Sequence, residues 1–149
     1  MTAIKDIKLA YVRRYIGDRR RLYELDELDD IKLHPQTYQE GYAMKAEASI
    51  IIANLNDLCI LVSLALEDDG LVYTGYSIHH SSGGCLGGPS KESKVKPGRT
   101  VRMALRNELE DLRQYSQYYG KRINHIITKA IHRINIRSLR QSTIFDILG

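Results

Sequence analysis

The longest apolar pattern in the chain runs from Ala48 to Leu66, ASIIIANLNDLCILVSLAL. Its length alone fits a membrane span, but Asn54, Asn56 and Asp57 fall in its middle, where a single Asp costs roughly 2.5–3.5 kcal/mol. A buried helix is therefore expected, starting near Pro35 or Gln36 and ending at the Asp68-Asp69-Gly70 turn. Apolar on most sides over its second half, it would form the centre of the core. Upstream, Ile4, Ile7, Tyr11 and Tyr15 follow a helical stripe, although IKLAYVRRYI also reads as strand alternation. Helix is the reading adopted. Gly17-Asp18 offers a break and an N-cap, after which Leu22, Leu25 and Leu28 recur on one helical face until His34-Pro35.

Residues 71–80, LVYTGYSIHH, are β-branched and aromatic, and are bounded by glycine and serine, which predicts a short strand or hairpin arm. The stretch from Ser81 to Gly98 has no periodicity and is rich in Gly and Pro; a mobile surface loop is expected. Beyond it, Val101, Leu105, Leu109, Leu112, Tyr115 and Tyr119 mark one face of a helix that Gly120 ends, with Glu108, Glu110 and Asp111 assigned to its other sides. A second helix, Lys121 to about Leu139, carries Ile123, Ile127, Ala130, Ile131 and Ile134 on its inner side, completing a helical hairpin. The expected fold is a mainly α (α+β) single domain over residues 1–140. It has a central buried helix, a small β element and a C-terminal helical hairpin, followed by a partner-binding tail at 141–149.

Composition narrows the class. The 149 residues hold 22 Lys+Arg against 18 Asp+Glu, 43% hydrophobic residues and two Cys, enough for one core and too few cysteines for a disulfide framework or a Cys-rich zinc site. No signal-peptide pattern opens the chain, and a reducing, cytoplasmic setting is expected. A net charge of +4 permits nucleic-acid contact without arguing for it. The distribution of charge argues more strongly. Arg122, His125, Lys129, His132, Arg133, Arg137 and Arg140 recur in steps of three and four, and no acid stands between Lys121 and Arg140. Such a ridge is suited to successive phosphates, with Arg19-Arg20-Arg21 as a possible extension. The competing reading is a solvated face paired with Glu108, Glu110 and Asp111.

The chain closes on Gln141-Ser142-Thr143-Ile144-Phe145-Asp146-Ile147-Leu148-Gly149, which holds its single Phe. Ile144, Ile147 and Leu148 have the i, i+3, i+4 spacing of one side of a helical turn. This segment resembles the sliding-clamp (PCNA)-interacting peptide, the PIP box, and is especially similar to its archaeal C-terminal versions with an apolar-Phe-Asp step. The resemblance implies that Gln141 enters a polar pocket of the clamp while Ile144, Ile147 and Leu148 plug a hydrophobic one; Gln141, Ile144 and Phe145 also resemble the shorter bacterial clamp motif, which prefers Leu where Ser142 stands. Ile147-Leu148 departs from the usual aromatic pair. The alternative is that these side chains tuck back onto the core.

Other patterns are less specific. His79 and His80 with Cys85 and His34 lack zinc spacing, since neighbours on a strand face opposite ways. The Gly83 to Gly88 segment is followed by Pro89 and not by Lys-Ser/Thr, which excludes a Walker loop. Glu24, Asp26, Glu27, Asp29 and Asp30 form an acidic run that is more often a solvated face than a metal site. The sequence thus points to a non-catalytic replication or repair accessory factor, archaeal or archaeal-viral, with a sliding clamp and nucleic acid, DNA in the first place, as expected partners and no cofactor or metal. Two rivals stand beside it. One is a small enzyme or enzyme subunit such as a nuclease or primase accessory, with its site around Tyr76, His79, His80 and the glycine-rich segment. The other is a viral inhibitor or homo-oligomeric interaction protein.

Overall fold

The apolar run at 48–66 folds as two strands and not as a helix, which overturns the expected mainly α domain with its central buried helix. In the computed structural model, which describes residues 21–80, 83–115 and 120–148, β1 is Arg21–Tyr23, β2 Pro35–Gln36, β3 Ala48–Asn54 and β4 Leu58–Glu67. The pattern misled for a physical reason. A strand covered on both faces is apolar at every position, so it loses the alternation that marks a half-exposed strand and looks like an all-round apolar helix. The β-branched residues Ile50, Ile51, Ile52, Ile60 and Val62 favour the extended form. The polar interruption at Asn54, Asn56 and Asp57, which argues against a membrane span, is the end of β3 and the hairpin connection to β4, closed by Leu55 N–H donating to the Leu58 carbonyl at 2.8 Å.

Strand β5 (Val72–His80) is the one anticipated, and it pairs antiparallel with β4 along its whole length. Strand β6 (Gly83–Gly87) is not. Together they form a mixed six-stranded sheet of order β1-β3-β4-β5-β6, with β1 parallel to β3 and β2 parallel to the end of β4. The helix expected through Leu22, Leu25 and Leu28 is replaced by β1 and a 3₁₀ helix, Leu25–Asp30, which buries Leu25 and Leu28 as the spacing implied. The helix expected in residues 1–20 lies outside the described residues.

Two helices complete an α+β fold: α1, Val101–Tyr115, and α2, Lys121–Leu148. Gly120 between them has φ +100°, a left-handed conformation that glycine adopts without strain. Leu105, Leu109 and Leu112 of α1 and Ile123, Ile127, Ala130, Ile131 and Ile134 of α2 are buried as the periodicity predicts. They pack on the sheet face carrying Ile50, Ile60, Val62, Leu64 and Ile78. The other face is buried too: Ser49, Cys59, Leu61, Ser63 and Ser77 lie there, and Leu22 and Ile51 pack with Cys59 and Leu61.

The glycine-rich segment is also corrected from mobile loop to ordered structure. Gly75 explains why it is so rich in glycine. A Cβ at position 75 would fall 2.1 Å from the Gly87 carbonyl oxygen and 2.6 Å from the Gly88 carbon, so the two backbones cross with no room for a side chain. Downstream, Met44 N–H donates to the Pro89 carbonyl at 2.7 Å, and Gly98 and Val72 exchange backbone hydrogen bonds. The Lys91 ammonium sits 3.0 Å from Glu67 and 3.3 Å from Asp69, over the rings of Tyr38 and Tyr73. The segment is therefore pinned at both ends and in its middle.

Candidate nucleic-acid interface and a buried acidic pocket

Burying one stripe of α2 against the sheet turns the opposite stripe to solvent. Arg122, His125, Lys129, His132 and Arg133 are all exposed, on the side away from Ile123, Ile127, Ala130, Ile131 and Ile134. The side chains of Arg137 and Arg140, and those of the tail residues Gln141, Ile144, Phe145, Ile147 and Leu148, lie outside the described residues. The backbone through 148 belongs to α2.

Among the described residues, no ion pair joins the ridge to Glu108, Glu110 or Asp111, the acids first suggested by the sequence. Glu110 bonds to Arg113, one turn along on α1. Glu108 is buried, with 2% of its surface exposed. Among the described residues, the acid that meets the ridge is Asp57, from the β3–β4 connection: its two carboxylate oxygens accept hydrogen bonds from Arg122 at 2.6 and 3.0 Å. The Arg122 hydrogen bond holds the Asp57 carboxyl below its usual range. Both partners are about half exposed, so the pair anchors the start of α2 with little net stability. Lys129 and Arg133 form no ion pair among the described residues. Of the suggested Arg19-Arg20-Arg21 extension, Arg21 lies on β1 beside Glu47 at 3.4 Å, and the other two lie outside the described residues.

A second site went unnoticed in the sequence. Glu108 occupies the apolar stripe of α1, three residues after Leu105 and four before Leu112, and its place on the wheel was the available signal. It lines a cavity of about 120 Å³ with Thr74 and Tyr76 of β5, Gly87 and Gly88 at the end of β6, Lys94 of the following segment, and Asp111. Thr74 donates a hydrogen bond to the Glu108 carboxyl, while Oε2 is buried with no partner. Burial, reinforced by the nearby Asp111 charge, raises its pKa from 4.5 to about 7. Removing a carboxylate from water disfavours the charged form, and a second negative charge adds to that cost.

The enzyme-like groupings are less developed. Ser77 Oγ and His79 Nε2 are 2.6 Å apart, and burial, with the His80 charge adding to it, lowers the His79 pKa. His79 and His80 are successive residues of β5 and so face opposite sides of the sheet. Burial raises the Cys59 thiol to about 11, which leaves it unreactive at neutral pH. Glu24, Asp26 and Glu27 bring carboxylate atoms within 4.8 Å of one another, a closeness that the capping box between Glu24 and Glu27 accounts for.

Fold and site together define a single-sheet α+β domain with a cationic outer face on α2 and a small acidic pocket beside α1. No protein-family model, curated protein or solved structure matches the sequence. Among the described residues, no helix is long and apolar enough to cross a membrane.

Proposed function

We propose that the protein is a non-catalytic accessory factor of DNA replication or repair, acting in the cytoplasm, which binds nucleic acid through the outer face of α2 and a sliding clamp through residues 141–148. The exposure of Arg122, His125, Lys129, His132 and Arg133 supports this reading. The opposite face of α2 supplies the core contacts, so packing does not require the cationic side chains, and no acid interrupts them from Lys121 to Arg140. Ridge and tail share one backbone helix of 28 residues, about 42 Å long at 1.5 Å per residue. A clamp held by the tail would encircle the same duplex that the ridge contacts.

Charge reversal at Lys129 and Arg133 tests the ridge. Binding should weaken alike for all sequences, and the log-log salt slope should shrink by about 0.9 per lost duplex phosphate contact. If the unaltered protein binds neither duplex nor single strand at low salt, the ridge is only solvated surface. For the tail, changing Gln141 and Ile144 together to Ala should abolish clamp binding while the circular dichroism spectrum and unfolding midpoint stay in place. No affinity for a clamp at tens of micromolar, roughly −6 kcal/mol, would remove the clamp from the proposal. Collapse of the fold on deleting residues 141–149 would assign the tail to the core instead.

A further inference from the structure

We infer that Asp57 is an anion built into the nucleic-acid surface, standing where a backbone phosphate would sit on Arg122 and withholding that arginine from the ligand. The inference rests on the reading of α2 as a nucleic-acid face and names the contact that limits its affinity. Its starting point is the line of cations along the helix. Lys129 and Arg133 follow Arg122 by seven and eleven residues, close to two and three turns at 3.6 residues per turn. All three therefore share one line, about 16 Å long, and all three are exposed. A phosphate strand laid along Lys129 and Arg133 continues toward Arg122.

Arg122 differs from the other two in being occupied. Its guanidinium donates to both oxygens of Asp57, at 2.6 and 3.0 Å, in the fork geometry that Arg forms with carboxylates and phosphates alike. The acid does not belong to the helix. It comes from the β3–β4 connection, 65 positions earlier in the chain, while α2 has no acid in its own first turn. The fold has carried one carboxylate to the end of an otherwise acid-free row. Packing does not require the pair: its side chains are 56% and 54% exposed, so it adds little to stability, and the connection is closed by the Leu55–Leu58 backbone hydrogen bond.

The consequence is electrostatic. Paired, Arg122 and Asp57 cancel, and the row presents Lys129 and Arg133 as its charged members. A phosphate that takes Arg122 must displace a carboxylate making the same two hydrogen bonds, and it then leaves that carboxylate uncovered beside it. The exchange gains no contact and adds a like-charge repulsion. Arg122 stays with Asp57, and the bound strand stops short of it.

The test is fluorescence anisotropy with a labelled duplex of about 20 base pairs, titrated with the full chain between about 50 and 200 mM salt. Asp57→Asn should tighten binding about fivefold and steepen the log-log salt slope by about 0.9, the signature of one added phosphate contact. Arg122→Gln should weaken binding, since it uncovers the carboxylate, and leave the slope as it is. With both changes together the parent's slope should return, and its affinity to within about twofold. Asp57→Ser should give the same gain through a different side chain, and the unfolding midpoint of each variant checks that the turn is kept. Glu92→Gln, which removes an acid from the segment after β6 that bonds to Gly41, controls for charge alone and should change affinity by less than about twofold. The inference is overturned if Arg122→Gln flattens the parent's slope by about 0.9, which makes Arg122 an ordinary contact, or if Glu92→Gln tightens binding as much as Asp57→Asn. It is equally overturned if both Asp57 variants leave affinity and slope unchanged while charge reversal at Lys129 and Arg133 still weakens binding. If neither the parent nor Asp57→Asn binds duplex or single strand at low salt, the reading of α2 falls and the inference falls with it.

Discussion

Truncation of Ile60 to Ala is expected to destabilise the protein by about 2–5 kcal/mol, and truncation of its neighbour Leu61 to cost a similar amount. Successive residues of a strand face opposite sides of the sheet. Ile60 packs in the cluster shared with α1 and α2, and Leu61 in the separate one with Cys59, Leu22 and Ile51. Both are fully buried, so each truncation removes about three methylene-sized groups from a site that collapses only in part. The measurement is the urea midpoint at constant m-value, which separates a change in stability from a change in the unfolded state. If one of the pair costs below about 1 kcal/mol while the other costs several, the sheet is covered on one face only, and the two-sided burial of β4 is wrong.

The second large effect is a loss of stability as pH rises through neutrality. Glu108 has its folded-state pKa raised from 4.5 to about 7. Below about pH 4.5 both folded and unfolded chains carry the proton and nothing is lost. Between 4.5 and 7 the unfolded chain gives up its proton while the folded one retains it, so stability falls with rising pH; above 7 the full penalty is present. A shift of this size corresponds to on the order of 3 kcal/mol. Glu108→Gln removes the titration and keeps the shape. The difference in unfolding free energy between variant and parent should therefore grow in the variant's favour from pH 5 to pH 8, with other groups cancelling in the subtraction. A constant difference across that range would mean that Glu108 stays ionised in the folded protein.

The helical pair was legible because each helix buries one stripe and exposes the rest. Leu105, Leu109 and Leu112, and Ile123, Ile127 and Ile134, carry the 3.6-residue period in the order of the letters themselves. Gly120 marks the break between them for an equally local reason, its positive φ. Strand β5 was readable from its β-branched and aromatic content, and the cationic outer face of α2 from its spacing.

What the letters could not decide was set by partners distant in the chain. β3 and β4 are strands because two sheet faces both need covering, and an all-apolar run records the burial without recording its geometry. The glycines at 83–88 look like a flexible loop until Gly75, eight residues upstream of Gly83, brings its bare backbone against Gly87 and Gly88. Arg122 finds Asp57 only because the β3–β4 turn reaches the start of α2. Glu108 looks like one more surface acid beside Glu110 and Asp111, and its burial follows from the packing of α1 over Thr74 and Tyr76. The sequence by itself determined which residues are apolar, which are charged and where helical periods run. The tertiary structure decided which polar groups lose their water, because desolvation depends on neighbours that only the fold brings together.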